Sequence, residues 1–427
     1  MNSNARRVAV LGGIRIPFAR QNGPYARASN QDMMTATLEA LISKFELQDE
    51  ALGEVSAGGV LKHSRDFNLT RECVLGTRLD PHTPAYDVQQ ACGTGLEATI
   101  LVANKIAHGQ VDSAIAGGFD TTSDAPIAVN EDLRQVLLEV NRSKSNAARL
   151  KALTKLRPQQ IVPQIPRNVE PRTGLSMGEH AAIMAKEWGV TREEQDELTV
   201  ASHRNLAAAY DTGFLDDLVT SFLGLERDQN LRPDTSVEKL AKLKPVFGGK
   251  EGTMTAGNST PLSDGASAVL LCSEEYAEAR GWKVLAYLTA YETAAVDYVH
   301  GGEGLLMAPA YAVPRLLARN GLTLQDFDFY EIHEAFAAQV LCTLKAWEDP
   351  VYCKEKLGLD APLGGLDRDK LNTHGGSLAA GHPFGATGGR IVAGLAKALQ
   401  AKGSGSRGLI SICAAGGLGV TAIMEAA

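Results

Sequence analysis

Ala85-Tyr86-Asp87-Val88-Gln89-Gln90-Ala91-Cys92-Gly93-Thr94-Gly95 decides how this chain is read. Residues 85–90 predict a strand, and the apolar-periodic run from Gly93 to about His108 predicts a helix. Cys92 stands at the junction, with Ala91, Gly93 and Gly95 around it. A thiol at a helix start feels the positive end of the helix dipole and unpaired N–H groups, which favour thiolate. Small neighbours leave room for an incoming carbonyl, and the cysteine N–H can serve an oxyanion. The competing reading is a structural cysteine, which has no need of three small neighbours.

The surrounding pattern is that of an α/β unit with a mostly parallel sheet. Strands are predicted at 7–13, 55–61 and 112–116, the last closed by Gly117-Gly118, and helices at 31–45 and near 68–75. From Thr121 to Met254 the texture changes to helix and loop, including a capping-box start at Thr191-Arg-Glu-Glu194. Strands then resume at 266–272, 284–291, 328–332, 408–413 and 420–424, with helices at 310–318, up to Ala346, and 385–402. The turn His382-Pro-Phe-Gly385-Ala-Thr-Gly388 repeats the strand–glycine turn–helix plan of the Cys92 region. An internal duplication is expected, with the two turns facing one another.

The 427 residues carry a net charge of −8, with 44% hydrophobic and 22% charged side chains, as in a soluble globular protein. That charge argues against general nucleic-acid binding. No apolar run approaches the roughly 18 residues of a membrane span. The polar start lacks a secretory signal, and a cytoplasmic protein is expected. None of the six cysteines forms a C-x-x-C pair, so no structural metal is expected. Cys73, Cys272 and Cys342 fit the role of small buried apolar residues.

Three further motifs carry reactive side chains. Ala380-Gly-His382-Pro-Phe-Gly385 offers an imidazole in a glycine-rich loop, the natural base for a cysteine. Cys413-Ala-Ala-Gly-Gly-Leu-Gly419 follows an apolar strand; a second thiol there could donate and accept a proton. Ile332-His333-Glu334-Ala335-Phe336 opens a helix, where His333 could meet a substrate carbonyl and Glu334 could support it.

In type and order these four elements resemble those of the thiolases, as do Ser176-Met177-Gly178 and Thr255-Ala-Gly-Asn-Ser-Thr260-Pro-Leu-Ser-Asp-Gly265. The resemblance covers nearly the whole chain. It is nearest to the trifunctional-enzyme β-subunit class, which includes the bacterial anaerobic fatty-acid oxidation thiolase. His333 stands where many thiolases have asparagine, and Ala415 where many have glycine. The resemblance implies a duplicated five-layered αβαβα thiolase fold with an inserted loop domain. One core half would comprise residues 1–120 with 255–280, the other residues 281–427, and a loop domain of 121–254 would cover coenzyme A.

It also implies a 3-ketoacyl-CoA thiolase of fatty-acid β-oxidation. Cys92 would be the nucleophile, His382 its base, and Cys413 the proton donor and acceptor. His333 and His382 would form one oxyanion site, and the backbone N–H groups of Cys92 and Ala415 the other. Met177 and Thr260 would line the pantetheine channel. Coenzyme A would be a co-substrate, with no permanently bound cofactor and no metal. An acetyl-CoA C-acetyltransferase acting mainly on acetoacetyl-CoA is the alternative. A decarboxylating ketoacyl-carrier-protein synthase would lack Cys413, and a non-catalytic lipid-binding protein of this fold would have no reason to keep four reactive side chains.

The expected partners are acyl-CoA substrates, further copies in a homodimer or homotetramer, and a hydratase/dehydrogenase α-subunit. The basic segment 134–157 reads as a solvated helical face, a coenzyme A phosphate contact, or a docking face for a partner or anionic membrane. His63, His180 and His374 read as structural, with His374 the nearest of them to the site.

Overall fold

Strand β1 (Val8–Arg15) is buried at all eight positions, and its side chains divide by period 2 between two cores. Val8 and Val10 enter one apolar cluster, Ala9 and Leu11 another. At about 1.5–3 kcal/mol per large aliphatic side chain removed from water, such a two-faced strand anchors layers on both sides. The structure, a computed structural model, describes residues 5–427.

The strands that build the sheet are, in chain order, β1, β2 (Glu54–Ala57), β3 (Ala85–Asp87), β4 (Ser113–Asp120), β5 (Ser263–Ser273), β6 (Ala286–Ala295), β7 (Phe329–Ile332), β8 (Arg407–Ala414) and β9 (Leu418–Ala426). Their order across the sheet is β7-β8-β9-β6-β1-β5-β4-β2-β3. In the sheet the two halves meet where Ala9 and Val10 pair with Tyr287 and Ala286. Outward from that seam, both halves show two antiparallel pairings and then a parallel one. This matched sequence of pairings is the duplication expected from the two glycine turns.

Five layers follow from which faces the helices cover. Helices α2 (Thr94–Ala107) and α5 (Ala386–Lys402) supply Leu96, Val102, Ile391 and Leu395 to a central cluster that also holds Val269, Ile410 and Ala422 from the two sheet halves. Helix α1 (Asn30–Phe45), capped by Ser29 and Asp32, lays Met33, Leu38 and Ile42 on the outer face of the first half. Helices α3 (Ala308–Asn320) and α4 (Ala337–Glu348) place Leu316, Leu317 and Leu344 with Leu409 and Ile423 on the outer face of the second.

Two sequence expectations shift. The strand expected to span 85–90 ends at Asp87, because the chain turns away and Ala91 takes φ +47°. The strand expected to close at Gly117-Gly118 runs on to Asp120. Tertiary contact explains the glycine: a Cβ on Gly118 would stand 2.0 Å from the Gly385 carbonyl oxygen.

Residues Leu61–Phe67 and Ala125–Asn168 form a compact unit of their own, and 169–254 belongs with the sheet. The smaller unit holds the helices Glu131–Arg142 and Asn146–Leu153, capped by Asn130 and Ser145. Its ion pairs Arg134–Glu131 and Lys155–Glu139 lie in solvent and contribute little. Leu137, Leu150, Ile161, Val162 and Ile165 on it are exposed. In the larger unit the helix Arg192–Asp211 begins with the Thr191–Glu194 capping box that its sequence predicts. No helix among the described residues is long and apolar enough to cross a membrane.

Candidate active site

Close backbone approach brings the two glycine turns together. A Cβ on Gly95 would stand 2.6 Å from the Gly385 carbonyl oxygen, and one on Gly388 would stand 2.1 Å from the Leu96 nitrogen. Only glycine lets the starts of α2 and α5 touch this way. The Gly385 amide donates to Asp120 at 2.7 Å, and the His382 amide donates to Ser263 Oγ at 3.1 Å. The imidazole is thereby fixed from two strands.

The result is a thiol–imidazole contact: His382 Nε2 lies 3.1 Å from Cys92 Sγ. Ala91, immediately before the thiol, sits in the left-handed region, a strained conformation of the kind held at reactive turns. The Ala415 and Cys92 amides both donate to the sulfur. They do not produce the resting thiolate that the helix dipole suggested. Burial pushes the Cys92 thiol up to about 12, with the negative charges of Asp120 and Glu170 adding to it. Burial, assisted by the Arg390 charge, pulls His382 down to about 3. The resting pair is therefore a neutral thiol beside a neutral imidazole whose Nε2 can accept its proton.

His333 completes the cluster. Its ring centroid is 4.2 Å from that of His382, and burial followed by the His382 and Arg390 charges holds it well below the ordinary histidine range. Nδ1 meets Ser377 Oγ at 3.1 Å, while the buried Nε2 has no protein partner. Glu334 points away from this centre. It accepts from Ser202 Oγ at 2.7 Å, Asn372 Nδ2 at 2.7 Å and the Leu378 amide at 3.1 Å, tying the His333 strand to the segment before His382.

Cys413 is buried, and its thiol is pushed well above the ordinary range by burial and by Cys92. It shares an apolar cluster with Phe336 and Met254, against which Met177 packs half-buried. Thr260 is held to the His333 motif, its amide and hydroxyl both donating to the Ala335 carbonyl, at 3.2 and 2.9 Å. Met177 and Thr260 thus stand beside the Cys413 cluster and the His333 motif respectively.

His374, the histidine expected nearest the site after His333 and His382, stacks on Phe214 at 3.6 Å and bonds Thr373 Oγ1, so these contacts are not with the Cys92 cluster. His180 bonds Thr173 Oγ1 and meets the Tyr298 ring edge-on. Cys73, Cys272, Cys342 and Cys353 are buried. The donor atoms of Cys92, His333 and His382 lie within 4.8 Å of one another, close enough that a soft divalent ion could bridge them.

Sequence reading missed three contributors. Ser377 and Arg390 act behind His333, and Glu170 accepts the Gly416 amide at 2.6 Å, steadying the turn that carries Ala415. The Gly375-Gly376-Ser377 run between two motifs was a usable signal for Ser377. Glu170, six residues ahead of Ser176-Met177-Gly178, carried no local signal that it would reach the Cys413 turn.

Known proteins resemble this chain along nearly its whole length. The chain matches two family models, "Thiolase, N-terminal domain" over residues 8–275 and "Thiolase, C-terminal domain" over residues 282–426. It is 39% identical over 425 residues to a 3-ketoacyl-CoA thiolase of Yersinia pestis, covering 98% of this chain and 97% of that one. Among solved structures it resembles the Bacillus anthracis acetyl-CoA acetyltransferase, with a TM-score of 0.82 and 28% identity, each chain covered in full. It also resembles human mitochondrial 3-ketoacyl-CoA thiolase in complex with CoA, with a TM-score of 0.81, 27% identity, and 99% and 98% of the chains covered.

Proposed function

The chain belongs to the thiolase family, and from that premise we propose that it is an acyltransferase that cleaves 3-ketoacyl-CoA with coenzyme A. The products are acetyl-CoA and an acyl-CoA two carbons shorter. The observation that carries this reading is the 3.1 Å contact between Cys92 Sγ and His382 Nε2, with a second buried thiol, Cys413, interacting electrostatically with the first.

In the proposed cycle His382 takes the Cys92 proton as sulfur attacks the 3-keto carbon. The developing oxyanion is met by N–H donors, drawn from the imidazoles of His333 and His382 and the amides of Cys92 and Ala415. The C2–C3 bond breaks, and Cys413 gives its proton to the acetyl-CoA enolate. The Cys413 thiolate then takes the proton of incoming coenzyme A. That sulfur displaces the acyl group from Cys92, which regains its proton from His382. Protons and thiols all return to their starting positions.

Met177 and Thr260 are proposed to line the pantetheine channel. Met177 packs on the cluster that contains Cys413, and Thr260 is fixed to the His333 motif, which supports that assignment. Within the proposed loop domain 121–254, residues 169–254 pack with the core and are proposed to cover coenzyme A. His333, in place of the commoner asparagine, supports the trifunctional-enzyme β-subunit class. That class in turn suggests a homodimer or homotetramer in the cytoplasm, working with a hydratase/dehydrogenase subunit. The exposed bases and aliphatics of 134–157 support weak, salt-sensitive contact with an anionic membrane. Neutralising Arg142, Lys144, Arg149 and Lys151 should weaken vesicle binding; unchanged binding would exclude that role.

Chain-length preference is tested by thiolysis of short, medium and long 3-ketoacyl-CoA substrates. The β-oxidation reading expects turnover of the medium and long members. Strict preference for acetoacetyl-CoA would move the assignment to an acetyl-CoA C-acetyltransferase.

A further inference from the structure

The two imidazoles of the site face different hydroxyl groups, and those hydroxyls have different neighbours. Ser377 Oγ lies 3.1 Å from His333 Nδ1 and accepts from Arg390 Nη2 at 3.3 Å. A guanidinium has donors and no acceptor, so the direction of that second bond is fixed. It occupies a lone pair of Ser377 and leaves the hydroxyl hydrogen to donate, for which His333 Nδ1 is the acceptor in reach. Thr387 Oγ1 lies 2.7 Å from His382 Nδ1, and the acceptor available for its own hydrogen is the Pro383 carbonyl at 3.5 Å. A hydroxyl that gives its hydrogen to a carbonyl is free to accept from the ring.

We infer that Arg390 and Ser377 are positioning residues that hold His333 as its Nε2–H tautomer, opposite to the Nδ1–H tautomer that Thr387 imposes on His382. The inference rests on the thiolase reading and deepens it, by assigning how two adjacent histidines come to play different parts. His382 then presents a bare Nε2 to the Cys92 thiol and can act as a base. His333 presents an N–H from its otherwise unpartnered Nε2, a buried donor with a substrate oxygen as its natural partner. The reverse tautomer of His333 would strand the Ser377 hydrogen and aim a lone pair at the developing oxyanion. A neighbouring cation also polarises the Ser377 hydroxyl, strengthening the bond that selects the tautomer.

The direct test is the imidazole nitrogen spectrum of the intact protein labelled with 15N-histidine, with His333 identified by the signal lost in His333→Asn. The expected spectrum has His333 Nδ1 unprotonated and Nε2 protonated. Protonated Nδ1 in the wild type would overturn the inference, whatever the behaviour of any variant. In kinetics, Ser377→Ala should lower kcat about tenfold with KM little changed. That is less than the ~100-fold expected for deleting an oxyanion donor outright. Ser377→Thr, which keeps the hydroxyl, should recover most of the loss. An alanine variant of wild-type thermal stability whose kcat stays within about twofold of wild type would also overturn it. Acetylation of Cys92 by acetyl-CoA, followed on the same wild-type sample, separates the two readings. Its absence removes the thiolase assignment, while a neutral Ser377→Ala with acetylation intact removes only the tautomer device.

Discussion

The Glu170 carboxylate accepts the Gly416 backbone amide at 2.6 Å, joining a loop remote in sequence to the glycine turn that follows Cys413. Its other oxygen accepts from Tyr298 Oη at 2.9 Å, so the buried carboxylate is held at both ends. The Ala415 amide, one residue from the anchored position, donates to Cys92 Sγ. The turn is thus fixed by a charge that is itself unfavourable to a nearby thiolate.

Two substitutions separate these effects. Glu170→Ala should leave the Gly416 amide unpaired and cost about 1–3 kcal/mol of stability. It should also lower kcat, because the Ala415 amide loses its fixed aim. Glu170→Gln keeps the acceptor and removes the charge, so it should retain most activity and lower the pH at which iodoacetamide alkylates Cys92. An unchanged alkylation profile in Glu170→Gln would mean that the carboxylate charge does not reach the thiol.

Gly388 is where the two halves of the site depend on close approach. An added Cβ would stand 2.1 Å from the Leu96 nitrogen, a backbone atom that cannot swing aside. Gly388→Ala should destabilise by about 1–3 kcal/mol, as overpacking does, and should reduce thiolysis at temperatures where the variant remains folded. Gly394 on the same helix is the control, because a methyl group added there would meet no atom within 4 Å. Gly394→Ala should be neutral or stabilising.

His203 gives a stability signal that is independent of catalysis. It is buried, and its Nδ1 accepts the Arg232 amide at 3.1 Å, a bond that only the unprotonated nitrogen can make. Burial, then the Arg232 charge, pulls its folded-state value down to about 4. An unfolded histidine titrates near 6.5. Between those values the unfolded chain binds a proton that the native chain does not, so stability falls as pH drops from 6.5 toward 4. The contribution of this one group is a slope of about 1.4 kcal/mol per pH unit. Urea unfolding across that window should show a shallower slope by that amount in His203→Gln.

Three side chains of the candidate centre, Cys92, His382 and Cys413, stand beside glycines that mark a turn, whereas His333 stood out only by its motif His333-Glu-Ala-Phe336 after a strand. Cys92, His382, His333 and Cys413 could each be picked out from local sequence, and the repeated strand–turn–helix plan indicated that their turns would meet. What was not legible depends on contacts between distant segments. Gly118 reads as the end of a strand, yet pairing with Ser267 carries the strand on to Asp120, and the glycine is there because the Gly385 carbonyl needs its space. The expected thiolate at Cys92 was a local inference from the helix start, and burial by other elements outweighs it. Ser377, Arg390 and Glu170 work through partners that only the fold brings near.

If Cys92 carries the acyl group and Cys413 handles the proton, a single labelling experiment should show both. The protein is mixed with acetyl-CoA, quenched in acid, digested and analysed by peptide mass spectrometry, with Cys413→Ala treated in parallel. One acetyl group is expected on the Cys92 peptide of the wild type and none on Cys413. Thiolysis of 3-ketoacyl-CoA should also fall by about 100-fold or more in Cys413→Ala, the scale of general acid–base catalysis. Acetyl found elsewhere, or Cys92 left unmodified while turnover proceeds, would contradict this division of labour.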